Sequence, residues 1–200
     1  VGGVIANNSS GMSCGTEWNT YRTIESLKFV LPSGTAINSA DVDADDALRI
    51  KEPDLYEGLI RLRDRVRANN DSVRRIEHLF SLKNTMGYGI NAFLDYTRPV
   101  DILTHLIVGS EGTLAFVAEA VFRTVPVNPH AATGLLVFPH LTAAAEALPE
   151  LVEQGFSAIE LLDSQSLKVA QKDEHATPWL QAINVGDSAA LLLEVENERS

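Results

Sequence analysis

The segment 107–117, with the sequence IVGSEGTLAFV, constrains the fold more than any other part of this chain. Gly109 and Gly112 bracket a Ser-Glu pair, and glycine adopts a positive φ at little steric cost. The spacing therefore predicts a tight turn that connects two regular elements. Such a turn presents main-chain N–H groups that suit a phosphate or a ribose edge. On its own, however, the turn is more simply explained as a plain connection.

A second stretch of small residues opens the chain. Residues 1–15 read VGGVIANNSSGMSCG, and their four glycines, with the Asn and Ser residues, disfavour a helix and predict a loop. The stretch has neither the G-x-G-x-x-G pattern of a Rossmann unit nor the G-K-[ST] of a P-loop. Small side chains let a bulky planar or phosphorylated ligand touch the backbone, and a flexible glycine loop is an equal alternative.

The composition is that of an ordinary globular protein and excludes several classes. The 200 residues are 45% hydrophobic and 22% charged, which is enough for one large domain or two small ones. A formal net charge of −11 argues against broad binding to nucleic acid through its phosphates. The sequence contains no apolar run long enough for a transmembrane helix and no signal peptide. It begins with Val1 inside a glycine motif, so we expect a central part of a longer protein.

The residues that usually bind metals are few and scattered. Cys14 is the single cysteine, so an internal disulfide is excluded and no catalytic role is assigned to it. The five histidines show neither H-x-x-x-H nor H-x-H spacing, and no local metal site is predicted.

Local patterns predict the elements of the first part. They are a β-hairpin over 23–38 with its turn at Pro32-Ser33-Gly34, an acidic surface over 39–54, helices over 53–69 and 72–80, and a buried strand or strand pair over 114–125. Six arginines lie between Arg61 and Arg75. A solvated helical face is the usual explanation for such a cluster. The alternative is an anchor for an acidic substrate, a phosphate or a partner subunit.

The segment VPVNPH at 125–130 predicts a domain boundary, because its prolines end the preceding strand. Beyond it the chain alternates strands and helices, which predicts an α/β sandwich with one face of the sheet covered. The predicted elements are a buried strand over 133–138, a helix from a Thr142 cap to about Gln154 with Gly155 as its stop, a strand over 158–162, a helix over 163–170 and a strand over 189–195.

With these motifs in place, the chain resembles the FAD-linked oxidases of the vanillyl-alcohol oxidase, or PCMH, type. Among them it is most similar to the bacterial enzymes that carry FAD and an iron–sulfur region and oxidise D-2-hydroxy acids such as D-lactate or D-2-hydroxyglutarate. The motifs that carry the resemblance are VGGVIANNSSG at 1–11, VLPSGT at 30–35, KNTMGY at 83–88 and VGSEGTLAFV at 108–117, together with AIELLD at 158–163.

The resemblance implies an α+β fold with two parts. Residues 1–126 would be the second subdomain of a PCMH-type FAD-binding domain, with a helical insert at about 39–80. Residues 130–200 would begin a ferredoxin-like α/β cap domain on the substrate side. An iron–sulfur cluster would lie outside this chain, since no cysteine cluster is present.

The resemblance also implies a function and a set of cofactor-binding residues. A D-2-hydroxy acid would transfer a hydride to the flavin N5, and electrons would leave to an acceptor other than a nicotinamide. The residues expected against FAD are Gly2, Gly3, Asn8, Gly11, Glu111, Gly112, Thr113, Phe116 and Val117. No catalytic or metal-binding residue is assigned within the chain, because the family's cap residues for those roles are expected beyond Ser200.

Two other functions stay open at this point. One is a flavin-dependent oxidase that acts on an alcohol or a sugar and uses oxygen. The other is a non-catalytic interaction domain whose arginine-rich helices, with Arg61, Arg65 and Arg74, form the contact face. The resemblance places the protein in the cytoplasm and leaves open peripheral attachment to the inner face of the membrane, as well as a homodimer.

Overall fold

The computed structural model describes residues 1–197 and divides the chain into two compact units. Unit 1 is Val1–Val125, and unit 2 begins at Pro126. Both units combine helices with an antiparallel sheet, so the predicted α+β class is confirmed. No helix in the described part of the chain is long and apolar enough to cross a membrane.

Unit 1 packs its helices against a sheet of three strands in the order β2-β1-β3. Its elements are α1 Gly2–Asn7, a short 3-10 helix Met12–Cys14, α2 Thr20–Thr23, β1 Ile24–Val30, β2 Ala36–Asn38, α3 Ala44–Lys51, α4 Pro53–Arg67, α5 Asn70–Phe80, α6 Ala92–Asp95, α7 Pro99–Ile107 and β3 Phe116–Phe122. Strand β1 and helix α7 contribute many of the side chains of the core, among them Leu27, Phe29 and Ile102, which are fully buried.

The predicted hairpin and the two predicted helices are confirmed. Strands β1 and β2 pair antiparallel, and Gly34 in the turn between them has a φ of 87°. Helix α4 begins at Pro53, where the missing N–H of proline costs nothing because the first helical amides have no partner. The hairpin and helix signals are local, which is why the sequence alone was sufficient to find them.

Two arginines of α4 donate hydrogen bonds to the backbone in and after α6. Arg67 donates from Nε to the Phe93 carbonyl at 2.8 Å and from Nη2 to the Tyr96 carbonyl at 2.6 Å. Arg63 donates from Nη1 to the Thr97 carbonyl, also at 2.6 Å. These two side chains satisfy carbonyls in and just after α6, where helical partners end. The expectation of a purely solvated face was therefore wrong for this pair.

The prediction of a loop at the start of the chain was also wrong, because residues 2–7 form helix α1. Tertiary contacts override the weak helix propensity of glycine here. Ile5 is fully buried, and its carbonyl accepts a hydrogen bond from the Gly109 amide at 3.0 Å. The Ala6 carbonyl likewise accepts from the Glu111 amide at 2.8 Å. Asn8 then ends the helix in the left-handed conformation, with a φ of 52°.

Strand β3 exists where a strand was predicted, but it is not buried. It lies at one edge of the sheet, and Phe116 on it is 71% exposed. An apolar sequence indicates a strand but not which faces are covered, so burial could not be read from residues 114–125 alone.

Unit 2 is built on a second sheet of three antiparallel strands, in the order β4-β6-β5. Its elements are β4 His130–Phe138, α8 Leu141–Glu153, β5 Ala158–Leu162, α9 Ser164–Ala170, α10 Pro178–Gln181 and β6 Ala189–Asn197. Strands β4 and β5 flank β6 and are connected through α8, which is a split β-α-β arrangement. Helix α8 packs around Leu191 on one face of β6, and α9 packs around Ala190 on the other.

Three details of unit 2 differ from the sequence-based expectation. Helices cover both faces of the sheet, α8 on one and α9 on the other, where one covered face was expected. The N-cap of α8 is His140, whose Nδ1 accepts from the Ala143 amide at 3.1 Å, and not Thr142. Strand β4 is mostly exposed, because it is an edge strand. The predicted stop at Gly155 is confirmed by its φ of 74°, which suits a residue just after a helix end.

Candidate functional site

The first glycine stretch and the turn after α7 line one open cavity in unit 1, with a volume of about 540 Å³. A third side comes from the end of β1, through Val30, Leu31 and Pro32. Six of the nine residues expected against FAD line this cavity, namely Gly2, Gly3, Gly112, Thr113, Phe116 and Val117. Two segments separated by about a hundred residues are therefore brought together.

The other three expected residues lie outside the lining of this cavity. Asn8 is buried, and its Oδ1 accepts from the Tyr21 amide at 3.0 Å. The Gly11 carbonyl accepts from Lys83 Nζ at 2.8 Å. Glu111 Oε1 accepts from Asn7 Nδ2 at 2.7 Å. In this structure, all three therefore have polar partners within the protein.

The turn between α7 and β3 uses most of its amides internally, which corrects the expectation that they point outward. The amides of Gly109 and Glu111 donate to α1, and those of Ser110 and Thr113 close the turn on itself. Within the described residues, only the Gly112 amide of residues 109–113 has no acceptor. The physical reason is that the last carbonyls of α1 need donors, and this turn supplies them.

The glycines of the two segments differ in how much space a side chain would have. A Cβ placed on Gly2, Gly3 or Gly112 would meet no other atom of the described residues within 4 Å. A Cβ on Gly109 would lie 2.8 Å from the Gly87 carbonyl oxygen, which no real side chain tolerates. Packing therefore requires glycine at position 109. At positions 2 and 3, the absent side chains instead leave the cavity open for a ligand. Gly112 also leaves the cavity open, but its φ of 75° by itself favours glycine.

The polar groups of the cavity can bind a ligand but cannot exchange protons with it at neutral pH. None of the twelve lining residues has a titratable side chain. The Thr113 hydroxyl donates to the Ser110 carbonyl at 2.6 Å and lies 2.8 Å from the Tyr88 hydroxyl. The first-turn amides of Gly2 and Gly3 lack intrahelical acceptors by the geometry of a helix start. A flavin nucleotide, with its planar ring system and phosphates, fits apolar walls that carry a few main-chain donors.

A buried aromatic cluster lies elsewhere in unit 1 and holds the strongest electrostatic perturbations. His105 stacks on Tyr96 with ring centroids 3.9 Å apart and meets Tyr21 edge-on at 5.0 Å. Burial raises the pKa of the Tyr21 hydroxyl, and the adjacent Asp95 carboxylate raises it further. Burial also lowers the pKa of His105. None of these side chains lines the cavity.

Sequence reasoning did not name three residues whose side chains are hydrogen-bonded to the two segments. Asn7, Lys83 and Tyr88 each donate to one of the two segments expected to bind the cofactor. Lys83 and Tyr88 both belong to the KNTMGY motif, which could have indicated them. In the described part of the chain, no group of His, Cys, Asp and Glu side chains is arranged to hold a metal ion.

Comparison with known proteins finds a family match for unit 2. Residues 127–200 match the family model for the C-terminal domain of FAD linked oxidases. The resemblance predicted from the motifs is confirmed, as is the α+β fold with an FAD-linked oxidase C-terminal domain in unit 2.

Similarity to curated relatives and solved structures extends into unit 1. The D-2-hydroxyglutarate dehydrogenase of Haemophilus influenzae is 25% identical over 177 residues, covering 86% of this chain and 17% of the relative. The glycolate oxidase subunit GlcD of Bacillus subtilis is 35% identical over 71 residues, which is 34% of this chain and 15% of that subunit.

A solved structure of alkyldihydroxyacetonephosphate synthase aligns with 98% of this chain at a TM-score of 0.55. It shares 15% sequence identity, and the alignment covers 28% of the synthase. This likeness shows a shared fold alone. The chain spans less than a fifth of the two D-2-hydroxyglutarate dehydrogenases that it matches over most of its length and less than a third of the synthase.

Proposed function

We propose that this chain is part of an FAD-dependent oxidoreductase that oxidises a D-2-hydroxy acid. The observation that carries the proposal is the open, glycine-lined cavity of unit 1. On the same chain, it is followed by a segment that matches the C-terminal domain of FAD linked oxidases. The similarity to D-2-hydroxyglutarate dehydrogenases over 86% of the chain supports the substrate class.

In this proposal residues 1–126 contribute to the FAD-binding domain and residues 130–200 begin the substrate-side domain. The main chain at Gly2, Gly3 and Gly112 would lie against the cofactor, and the Gly112 amide would donate to it. Phe116 and Val117 would supply apolar contacts. Asn8, Gly11 and Glu111 would support these segments, because their polar groups already have partners in the protein.

When bound, FAD supplies the two-electron acceptor that takes a hydride from the carbon bearing the substrate hydroxyl. The residues of unit 1 would bind and orient the flavin and exclude water from one side of it. They would not act as general acid or base, because none of the residues that line the cavity has a titratable side chain. Electrons would then pass to an acceptor other than a nicotinamide.

The test uses the whole protein, purified with whatever flavin it retains. We expect a yellow protein that reduces an artificial electron acceptor when D-lactate or D-2-hydroxyglutarate is added, with the L enantiomers as controls. A protein that is colourless and cannot be reconstituted with FAD would refute the proposal. Rapid peroxide release under air, with an alcohol or a sugar as substrate, would support a flavin-dependent oxidase instead.

A cavity variant separates binding from folding. Gly3→Leu would place a side chain into the cavity without backbone strain, because Gly3 is helical and has open space at its Cβ. We expect at least a tenfold loss of FAD affinity. The control is Gly58→Ala in α4, where the Cβ would make an ordinary 3.8 Å contact with Arg61 and the cavity is untouched.

A further inference from the structure

Residues 81–91, between α5 and α6, form an irregular segment that we call the bridging segment. It contacts both segments of the proposed cofactor site. Its side chains at Leu82, Met86 and Tyr88 are substantially exposed, so burial of its own apolar surface does not explain its course. Its course is instead marked by contacts to the first glycine stretch and to the turn after α7.

The first contact is made by Lys83. Its ammonium group donates to the Gly11 carbonyl at 2.8 Å. Hydrogen bonds with a charged donor are stronger than neutral ones. A Cβ on Gly11 would meet nothing within 4 Å, so few other contacts restrain this end of the first glycine stretch. Lys83 therefore connects a loosely packed end of that stretch to the bridging segment.

The second contact is made by Tyr88, and its direction follows from counting protons. Thr113 has one hydroxyl proton, and the Ser110 carbonyl at 2.6 Å can only accept it. The 2.8 Å contact between the Tyr88 and Thr113 hydroxyls must then be donated by Tyr88. A chain of two hydrogen bonds thus runs from Tyr88 through Thr113 to Ser110, within the turn that lines the cavity.

A backbone contact lies between these two side chains. The Gly87 carbonyl oxygen comes so close to Gly109 that a Cβ there would be 2.8 Å away. The bridging segment is therefore in van der Waals contact with the turn at Gly109 and hydrogen-bonded to it at Thr113. Together with Lys83, it spans both segments that line the cavity.

We propose that Lys83 and Tyr88 are positioning residues that hold the two segments at the separation required by the cofactor. The proposal rests on the proposed function, since it concerns FAD binding at that site. Both residues act through other residues, Lys83 through Gly11 and Tyr88 through Thr113. A preformed cavity binds more tightly because less of the binding free energy is used to order it.

The test compares the FAD affinity of two variants of the whole protein with that of the wild type, after FAD has been removed and added back. Tyr88→Phe removes one hydroxyl, and Lys83→Met removes the ammonium group. We expect each to weaken FAD binding about tenfold, measured by flavin fluorescence. We also expect a changed visible absorption band of the bound flavin, which a loss of general stability would not produce. Lys83→Arg should restore most of the affinity.

The matched control is Tyr56→Phe, which deletes a comparable hydrogen bond from a tyrosine hydroxyl to Asp45 at 2.9 Å in unit 1. It should leave FAD affinity and the flavin spectrum unchanged. Equal effects of Tyr56→Phe and Tyr88→Phe would overturn the inference, and so would wild-type affinity in both Tyr88→Phe and Lys83→Met. If the wild-type protein binds no FAD at all, the proposed function itself fails.

Discussion

Replacing Gly109 with alanine is the sharpest test of how the two halves of the cavity are joined. Gly109 has a φ of 83°, which costs an L-residue about 1–2 kcal/mol. The new Cβ would also lie 2.8 Å from the Gly87 carbonyl oxygen and 3.3 Å from the Asn8 Cβ. Relieving such overpacking costs about 1–3 kcal/mol more. Gly109→Ala should therefore lower the free energy of unfolding of unit 1 by about 2–5 kcal/mol.

The neighbouring Gly112 provides a control with the same backbone cost and no clash. Its φ is 75°, and a Cβ there would meet nothing within 4 Å. Gly112→Ala should therefore cost only the backbone contribution, about 1–2 kcal/mol. The difference between the two variants isolates the contact with the bridging segment, because the substitution and the conformational region are the same.

The assay must report on unit 1 alone, because a chain of two units need not unfold in one step. The chain has two tryptophans, Trp18 in unit 1 and Trp179 in unit 2. In a Trp179→Phe background, the fluorescence of Trp18 follows unit 1 during urea unfolding. If Gly109→Ala proves no more destabilising than Gly112→Ala, the close approach of Gly87 to Gly109 is not a feature of the protein in solution.

Three further outcomes are expected. Gly3→Ala should stabilise the protein without FAD by up to about 1 kcal/mol, through the higher helix propensity of alanine, and a loss of stability in urea would contradict a helix there. His105 has a pKa lowered by burial, so the unfolded state binds its proton more readily; stability should fall as the pH drops below about 6.5, and His105→Gln should flatten that profile. Gln171→Ala should speed amide hydrogen exchange over 171–183 in unit 2, because Gln171 Nε2 donates to the carbonyls of Leu180 and Ile183 at 2.9 and 2.8 Å; unchanged exchange would show that other contacts hold this segment.

The sequence was sufficient for elements that depend on local signals. The hairpin was found because Pro32 and Gly34 mark its turn, and α4 because apolar residues recur at helical spacing after Pro53. The resemblance found the two segments of the site, and six of the residues named from it line one cavity. These signals lie within short windows of sequence or in motifs that were recognisable as they stand.

What could not be predicted depends on contacts between distant residues. Helix α1 forms despite its glycines because Ile5 is buried and its carbonyl is bonded to Gly109, far along the chain. The same bonds take up amides that the turn alone would have left for a ligand. The edge positions of β3 and β4 could not be read either, since strand order is a property of the whole sheet. Likewise, no local pattern shows that Tyr88 reaches Thr113.

The glycines of the site separate the requirements of the fold from those of a ligand. Gly109 is required by the fold, because both its φ and its contact with Gly87 exclude a side chain. Neither the backbone conformation nor the packing requires glycine at position 3. Glycine within a helix is less stable than alanine by about 0.5–1 kcal/mol. Gly3 therefore weakens its own helix without improving the packing. A ligand in the cavity beside it would explain why glycine is present. The second unit of this chain matches the C-terminal domain of FAD linked oxidases, and the proposed FAD would account for this glycine.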